Sequence, residues 1–375
     1  MSQGKSPTQP EKRKRSPKPG TYENPEFRPA ELTGMYTRHA RIEEANFQHK
    51  SLANWHFNLA AGCSHGCLFC YVPSVTKTRV RNLFAMKYGL TDPDSAWGNY
   101  VFLRAWKENY FLAALGRAEK MPPEKIKPDG NHAIIYSSTT DPYQTIIHAD
   151  PERQKALNQH ARFLVKRSLE LIRDHSSFNV RILTRSPLAR QDFELYKSFG
   201  KRLLFGMSLP TLRNDLSKIY EPNAPAPSQR LATLQAAKEA GLYVYVVVAP
   251  TYPESDEADL RNTLQEVVKL DPVTVFHEPI NVRANNVQRI EQQAATLGIS
   301  LRTDVFESTE SWRKYAIGSL KQVEGIAASV GLGDRLHLWP DSLLGSKECI
   351  KEQKSPEEYE AWIKKWWGRI SEWPK

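Results

Sequence analysis

The chain has 375 residues, enough for one large domain with extensions or for two ordinary domains. An apolar fraction of 40% with 9 Trp, 14 Phe and 15 Tyr excludes a wholly disordered protein. No apolar run approaches the roughly 18 residues of a membrane helix, so no membrane partner is expected. The formal net charge of +10 favours an anionic partner.

Lys5, Lys12, Arg13, Lys14, Arg15 and Lys18 stand against Glu11 alone in the first twenty residues, which also carry four prolines. Residues 1–50 therefore read as a basic, Pro-rich, largely disordered tail and lead-in, one that either touches nucleic acid or only solubilises. "HFNLAAG" (56–62) predicts a strand, and 95–121 a helix. "HAIIYSS" (132–138) predicts a second strand, and 152–175 a long amphipathic helix. Further strands are expected at 179–185, 202–209, 243–250 and 272–278, with helices near 187–199, 211–219, 228–240, 256–269 and 284–297. Strand–helix repetition with near-continuous β-branched strands implies a parallel sheet buried on both faces. Six such units suit a partial (β/α)6 TIM-type barrel over 51–300, with 301–375 as a C-terminal helical extension packed on it.

Barrel chemistry sits in the loops after the strands. The loop after the first strand, "AAGCSHGCLFCY" (60–71), holds three of the four cysteines, Cys63, Cys67 and Cys70; Cys349 is the other. Such clustering does not make a disulfide framework. The N-terminal stretch has neither the apolar segment nor the small-residue cleavage site of a secretory signal, so the expected compartment is the reducing cytoplasm. C-x3-C-x2-C thiolates hold either zinc, with His65 or Cys349 as fourth ligand, or an iron–sulfur cluster. A [4Fe–4S] cluster on three cysteines leaves one iron open to a substrate or cofactor. Phe69 and Tyr71 flank Cys70 with flat surfaces suited to an aromatic base.

An aromatic before the last cysteine of C-x3-C-x2-C, after the first strand of a (β/α) pattern, resembles the radical SAM superfamily. "GCSHGCLFCY", "SSTTDPYQ", "ILTRSP" and "YEPNAPAPSQRLATLQAAKEAGLYVYVVVAPTYP" narrow the resemblance to its spore photoproduct lyase-like branch, over about 55–280, with weaker similarity at 311–320. The resemblance implies S-adenosylmethionine (SAM) on the open iron of a [4Fe–4S] cluster. It also implies one-electron cleavage to a 5′-deoxyadenosyl radical that abstracts hydrogen from a substrate, with DNA or RNA in view. It implies an electron donor such as flavodoxin or ferredoxin; no obligate protein partner is evident. By matching position, Arg185 stands near the SAM carboxylate, Ser208 at the ribose or methionyl group, and Ala249 and Pro250 beside the adenine.

The chain departs from that branch at two positions. Ser138 stands where spore photoproduct lyase has its hydrogen-donor cysteine, and an alcohol O–H is too strong to replace a thiol. Phe69 stands in place of a tyrosine, while Tyr71 is kept. The resemblance with these departures implies a lyase-like or oxidative reaction of different chemistry, acting on nucleic acid, a small molecule or a peptide. The candidate catalytic residues are Tyr71 and Asp141.

Each assignment has a plain structural rival. Arg185 can pair with a rim carboxylate, Ser208 can cap the segment from Pro210, and Asp141 can cap its turn. Glu221 and Arg230 read as a structural pair in a Pro-rich loop. Cys349 is either a replacement donor or an inert buried residue. Tyr143 and Gln144 lie beside Asp141 in "TTDPYQ", and His277, Glu278, Asn281 and Arg283 cluster after the sixth strand. Ser355 to Glu358 forms a capping-box pattern with Pro356 at the first helical position, ahead of an apolar face of Tyr359, Ile363, Trp366 and Ile370.

Overall fold

The computed structural model describes residues 22–74 and 81–374; the basic residues singled out near the N-terminus lie outside them. The strands are β1 (Thr33–His39), β2 (Ile42–Glu44), β3 (Trp55–Phe57), β4 (Ala60–Gly62), β5 (Val101–Ala105), β6 (Ala133–Tyr136), β7 (Asn179–Thr184), β8 (Leu203–Ser208), β9 (Tyr243–Thr251), β10 (Val275–Pro279) and β11 (Leu336–Leu338). The main sheet runs β11-β10-β9-β8-β7-β6-β3-β2. Every pair in it is parallel except β2–β3. Its two ends do not pair among the described residues, so the barrel is partial and open. No helix among the described residues is long and apolar enough to cross a membrane.

Strand alternation builds the two faces. Ile134, Val180, Ile182, Phe205, Met207, Val246 and Val248 point to the helical layer. Ile135, Leu204, Tyr245, Val247 and Phe276 fill the interior. Gly206 lies on β8 opposite Tyr245; a Cβ there would sit 2.4 Å from the tyrosine ring, so the phenol occupies the space a side chain would need.

Four expectations are corrected. "HFNLAAG" is two strands, not one: β3 pairs β6 in the main sheet, whereas β4 turns away to pair β5, so the cysteine loop follows β4. The segment 95–121 is a strand followed by the helix Glu108–Glu119. Val101, Phe102 and Leu103 gain two partners, β1 and β4, and that pairing outweighs the helical pattern of the flanks. β1 and β2 lie within what reads as irregular lead-in. Ser355 occupies the cap position before Pro356–Trp367, but its side chain makes no cap hydrogen bond. Tyr359, Ile363 and Trp366 are buried as the apolar face requires, while Ile370, beyond the helix end, is half exposed.

The C-terminal segment also supplies β11 and a floor. Ser371 Oγ donates to Ser51 O at 2.7 Å, Asn131 Nδ2 donates to Ser371 Oγ at 2.8 Å, and Arg181 Nη2 donates to the same oxygen at 2.7 Å. Arg181, fully buried on β7, lies 4.8 Å from the Trp373 ring centroid and 5.3 Å from that of Tyr245. Trp373 Nε1 in turn donates to Lys201 O ahead of β8, which closes the end of the barrel opposite the loops.

Candidate active site

The cysteine loop is held by four side chains from two elements, the loop after β6 and a helix late in the chain. Thr140 Oγ1 donates to Gly62 O at 2.7 Å, and Gln144 Oε1 accepts from Ser64 N at 2.7 Å. From helix Asn286–Leu297, Arg289 donates through Nε to Leu68 O at 3.1 Å and through Nη2 to Cys70 O at 3.0 Å. Asn286 Nδ2 donates to Phe69 O at 3.3 Å. The buried Asp94 carboxylate pairs with Arg289 and accepts from Asn285 N at 3.0 Å. Gly66 has φ +55°, and a Cβ on it would lie 3.0 Å from Gly98 Cα, so the loop needs a residue without a side chain there.

The three clustered cysteines, Phe69, Tyr71, Ser138, Asp141, Arg185, Ser208, Ala249 and Pro250 line one cavity of about 560 Å³. Cys63, Cys67 and Cys70 share a wall, and burial pushes each thiol up to about 12. Anionic thiolates at these positions therefore call for a bound cation. Among the described residues no three His, Cys, Asp or Glu side chains converge to hold a single metal ion. The donor set suits a multi-iron cluster, in which each thiolate meets its own iron.

Around the thiols, Phe69 lies 5.7 Å below the Arg185 guanidinium. Tyr71 Oη donates to Ser138 O at 2.7 Å, tying the cysteine loop to the loop after β6. Ser138 Oγ accepts from Asn58 Nδ2 at 3.2 Å. Ser208 Oγ donates to Ala249 O at 2.9 Å, linking β8 to β9 rather than capping the segment from Pro210. Asp141 is saturated: it accepts from Tyr143 N at 2.8 Å, Thr184 Oγ1 at 2.7 Å and Arg185 N at 2.8 Å, with His65 Nδ1 at 3.5 Å.

Arg185 Nε donates to Glu221 Oε1 at 2.5 Å, and Arg230 pairs with the other oxygen of that fully buried carboxylate. Burial alone would raise Glu221, but the Arg230 and Arg185 cations outweigh it and hold it down at about 2. Cys67 Sγ lies 3.9 Å from Glu221 Oε1, so this triad touches the thiol wall.

The structure does not bring every neighbour in. Tyr143 is buried in the core, donating to Asp192 Oδ2 at 2.9 Å, and Cys349 packs in the core with its sulfur 3.8 Å from Tyr359 Oη. His277 is turned away, with Nδ1 donating to Val248 O at 2.7 Å. Glu278, Asn281 and Arg283 do line the cavity. Glu278 accepts from Lys50 Nζ at 2.6 Å, and Arg283 pairs with Asp341. Sequence reasoning missed this mouth, built by Phe47, His49 and Lys50 from the lead-in and by Trp339 and Asp341 from the C-terminal segment. It also missed the Arg289–Asp94 clamp, which no local spacing signals.

The Radical SAM superfamily model matches residues 57–267, and the chain belongs to that superfamily. It is an enzyme of the radical SAM type, a class in which SAM binding is the shared feature. Among relatives, an uncharacterized protein of Acidianus two-tailed virus is 30% identical over 244 residues, covering 63% of this chain and 70% of the viral protein. An uncharacterized protein of Mycobacterium tuberculosis is 24% identical over 195 residues; the match takes in 52% of this chain but only 48% of the mycobacterial protein. Among solved structures, spore photoproduct lyase complexed with dinucleoside spore photoproduct superposes with a TM-score of 0.54 at 15% identity, covering 77% of this chain and 76% of the other. A variant of the same lyase gives 0.56 at 14% identity over 82% and 81%. The likeness is one of fold.

Proposed function

We propose that Cys63, Cys67 and Cys70 hold a [4Fe–4S] cluster, that SAM binds at its open iron, and that the substrate is a nucleic acid. The observation that carries the reading is the single cavity in which the three thiols meet the loops that end β6 to β10. When bound, the cluster and SAM supply one-electron cleavage to a 5′-deoxyadenosyl radical for hydrogen abstraction. The chain's own work is positional. Arg289, Asn286, Gln144 and Thr140 fix the loop backbone, and the Glu221–Arg185–Arg230 triad sets the charge beside Cys67. Tyr71 and Ser138 join two walls of the cavity.

Among the described residues no thiol besides the three lines this cavity, and Ser138 Oγ cannot return a hydrogen atom as a thiol does. That supports a reaction that consumes SAM. A net charge of +10 and the fold shared with a lyase solved on a dinucleoside photoproduct support nucleic acid as the substrate class.

The test is anaerobic reconstitution with SAM and a strong reductant, followed by assay of 5′-deoxyadenosine, with and without DNA or RNA. Product that disappears in Cys67→Ala and rises with nucleic acid is the expected result. One zinc and no iron in the purified chain would overturn the reading in favour of a zinc-stabilised binding protein. Product unaffected by nucleic acid, without salt-sensitive binding, would move the substrate to a small molecule or peptide.

A further inference from the structure

The cysteine loop also borders a second hollow, of about 840 Å³. Among the described lining residues this hollow and the thiol cavity share only His65. Ser64 and His65, which follow Cys63 directly, line it, and Asn223 Nδ2 stands 3.5 Å from the place a Cβ on Gly66 would take. Pro222 lines it too, next in the chain to Glu221, whose Oε1 lies 3.9 Å from Cys67 Sγ. The hollow therefore reaches the backbone that carries Cys63 and Cys67 from outside the thiol cavity.

Its lining suits a protein surface. No Asp, Glu, Lys or Arg lines it among the described residues, in a chain where those four make up 25%. Charge is depleted in this way at the centre of protein interfaces, and phosphates would find no cation in it. Ile147 and Leu188 stand on it 70% and 49% exposed, apolar area that a covering surface would take out of water. The Asn223 side-chain amide, with no hydrogen-bond partner among the described residues, is free to meet a partner's backbone. Beside the hollow the free charge is positive. Arg190, exposed on the same turn as Leu188, donates to Thr233 Oγ1 at 3.1 Å and meets no carboxylate among the described residues. Lys218, exposed on the helix Asn214–Tyr220 that leads to Pro222, has no ion pair among them either. The nearby acids Glu31 and Glu221 are neutralised, the first by Arg153 and the second by Arg185 and Arg230.

We propose that this hollow is the docking surface of the electron donor, a small acidic one-electron carrier protein. This rests on the cluster reading above. That reading consumes one electron for each SAM cleaved, and it fills the thiol cavity with SAM and substrate. A donor that acts on the loaded enzyme approaches from outside that cavity, where the hollow brings it to the cysteine loop. One electron leaves the reduced carrier and enters the cluster; no bond forms or breaks in the chain. Electron-transfer partners meet through small faces, which an uncharged centre with cations beside it provides.

The experiment follows cluster reduction in the reconstituted full-length chain, with an acidic flavodoxin as the probe carrier and dithionite as the small-molecule control. Reduction of the wild type by flavodoxin is expected to slow as salt rises. Leu188→Asp and Arg190→Glu, at exposed positions that do not line the thiol cavity, are each expected to slow it about tenfold at equal iron content. The dithionite rate should stay at the wild-type value in both. Equal flavodoxin rates in wild type and variants overturn the proposal and leave the cluster reading intact. So does a wild type that flavodoxin fails to reduce, or a loss shared by both reductants. If a variant does not load, hydrogen exchange of the loaded wild type with and without flavodoxin decides the matter. Protection across 186–190 and 222–230 supports the proposal; protection elsewhere, or none, overturns it. A dimer of this chain that Leu188→Asp separates gives the hollow to a second copy and overturns the proposal as well. A chain that never takes up iron overturns both readings together.

Discussion

Arg289 carries more of the site than any residue its sequence context points to. One guanidinium serves two carbonyls of the cysteine loop and neutralises Asp94, whose side chain is wholly buried. Arg289→Met keeps the stem but strands Asp94 as an uncompensated interior charge, for which about 3–5 kcal/mol is the usual loss. A lower melting temperature and less iron per chain after reconstitution are expected; an unchanged iron count would show that the loop does not need the clamp. The cysteines themselves were legible because thiolate spacing is local chemistry. The aromatic beside Cys70 and the polar loops after the strands were legible for the same reason. Arg289, Asp94 and the mouth residues Lys50 and Trp339 were not, because their partners lie across the fold. Arg289 and Asp94 are separated by 195 residues, and Lys50 meets Glu278 228 residues on.

At the level of elements, the parallel strands were legible because burial on both faces leaves an unbroken apolar run, as in the fully buried β8. β5 was not, since Val101–Ala105 is flanked by helix-like sequence and becomes a strand only through β1 and β4. The same neighbourhood holds a pH-sensitive joint. His160, on helix Pro151–His175, donates from Nε2 to Arg104 O on β5 at 2.8 Å, while its Nδ1 accepts from Tyr22 Oη at 2.9 Å. Burial lowers it to about 4, and burial does the same to His277. The unfolded chain protonates such imidazoles near pH 6.5 and the folded chain only near 4. The stability they contribute is therefore whole above 6.5 and is lost as pH falls through that window. Each is expected to cost about 2 kcal/mol by pH 5. Urea unfolding midpoints between pH 7 and 5 should fall accordingly, with a shallower fall in His160→Gln; equal slopes would remove His160 from the account.

Across the whole molecule, the open barrel carries the cavity at one end and is closed at the other by Ser371–Trp373. Ending the chain after Ile370 takes from Arg181 a charge-assisted bond worth about 1.5–3 kcal/mol and a desolvated cation–π contact worth about 2 kcal/mol. A marked drop in melting temperature is expected, partly recovered by Arg181→Met in the shortened chain. No drop would show that water serves Arg181 as well as the protein does. The arrangement also bears on synthesis. Arg181 emerges from the ribosome 190 residues before the hydroxyl that accepts from its Nη2. Until Ser371 follows, Arg181 on β7 has the Leu52 carbonyl as acceptor for its Nε but none for its Nη2, in the space beside Tyr245 and Phe276. A nascent chain that has not yet exposed Ser371 therefore lacks the Ser371–Ser51 and Arg181–Ser371 bonds that close this end of the barrel.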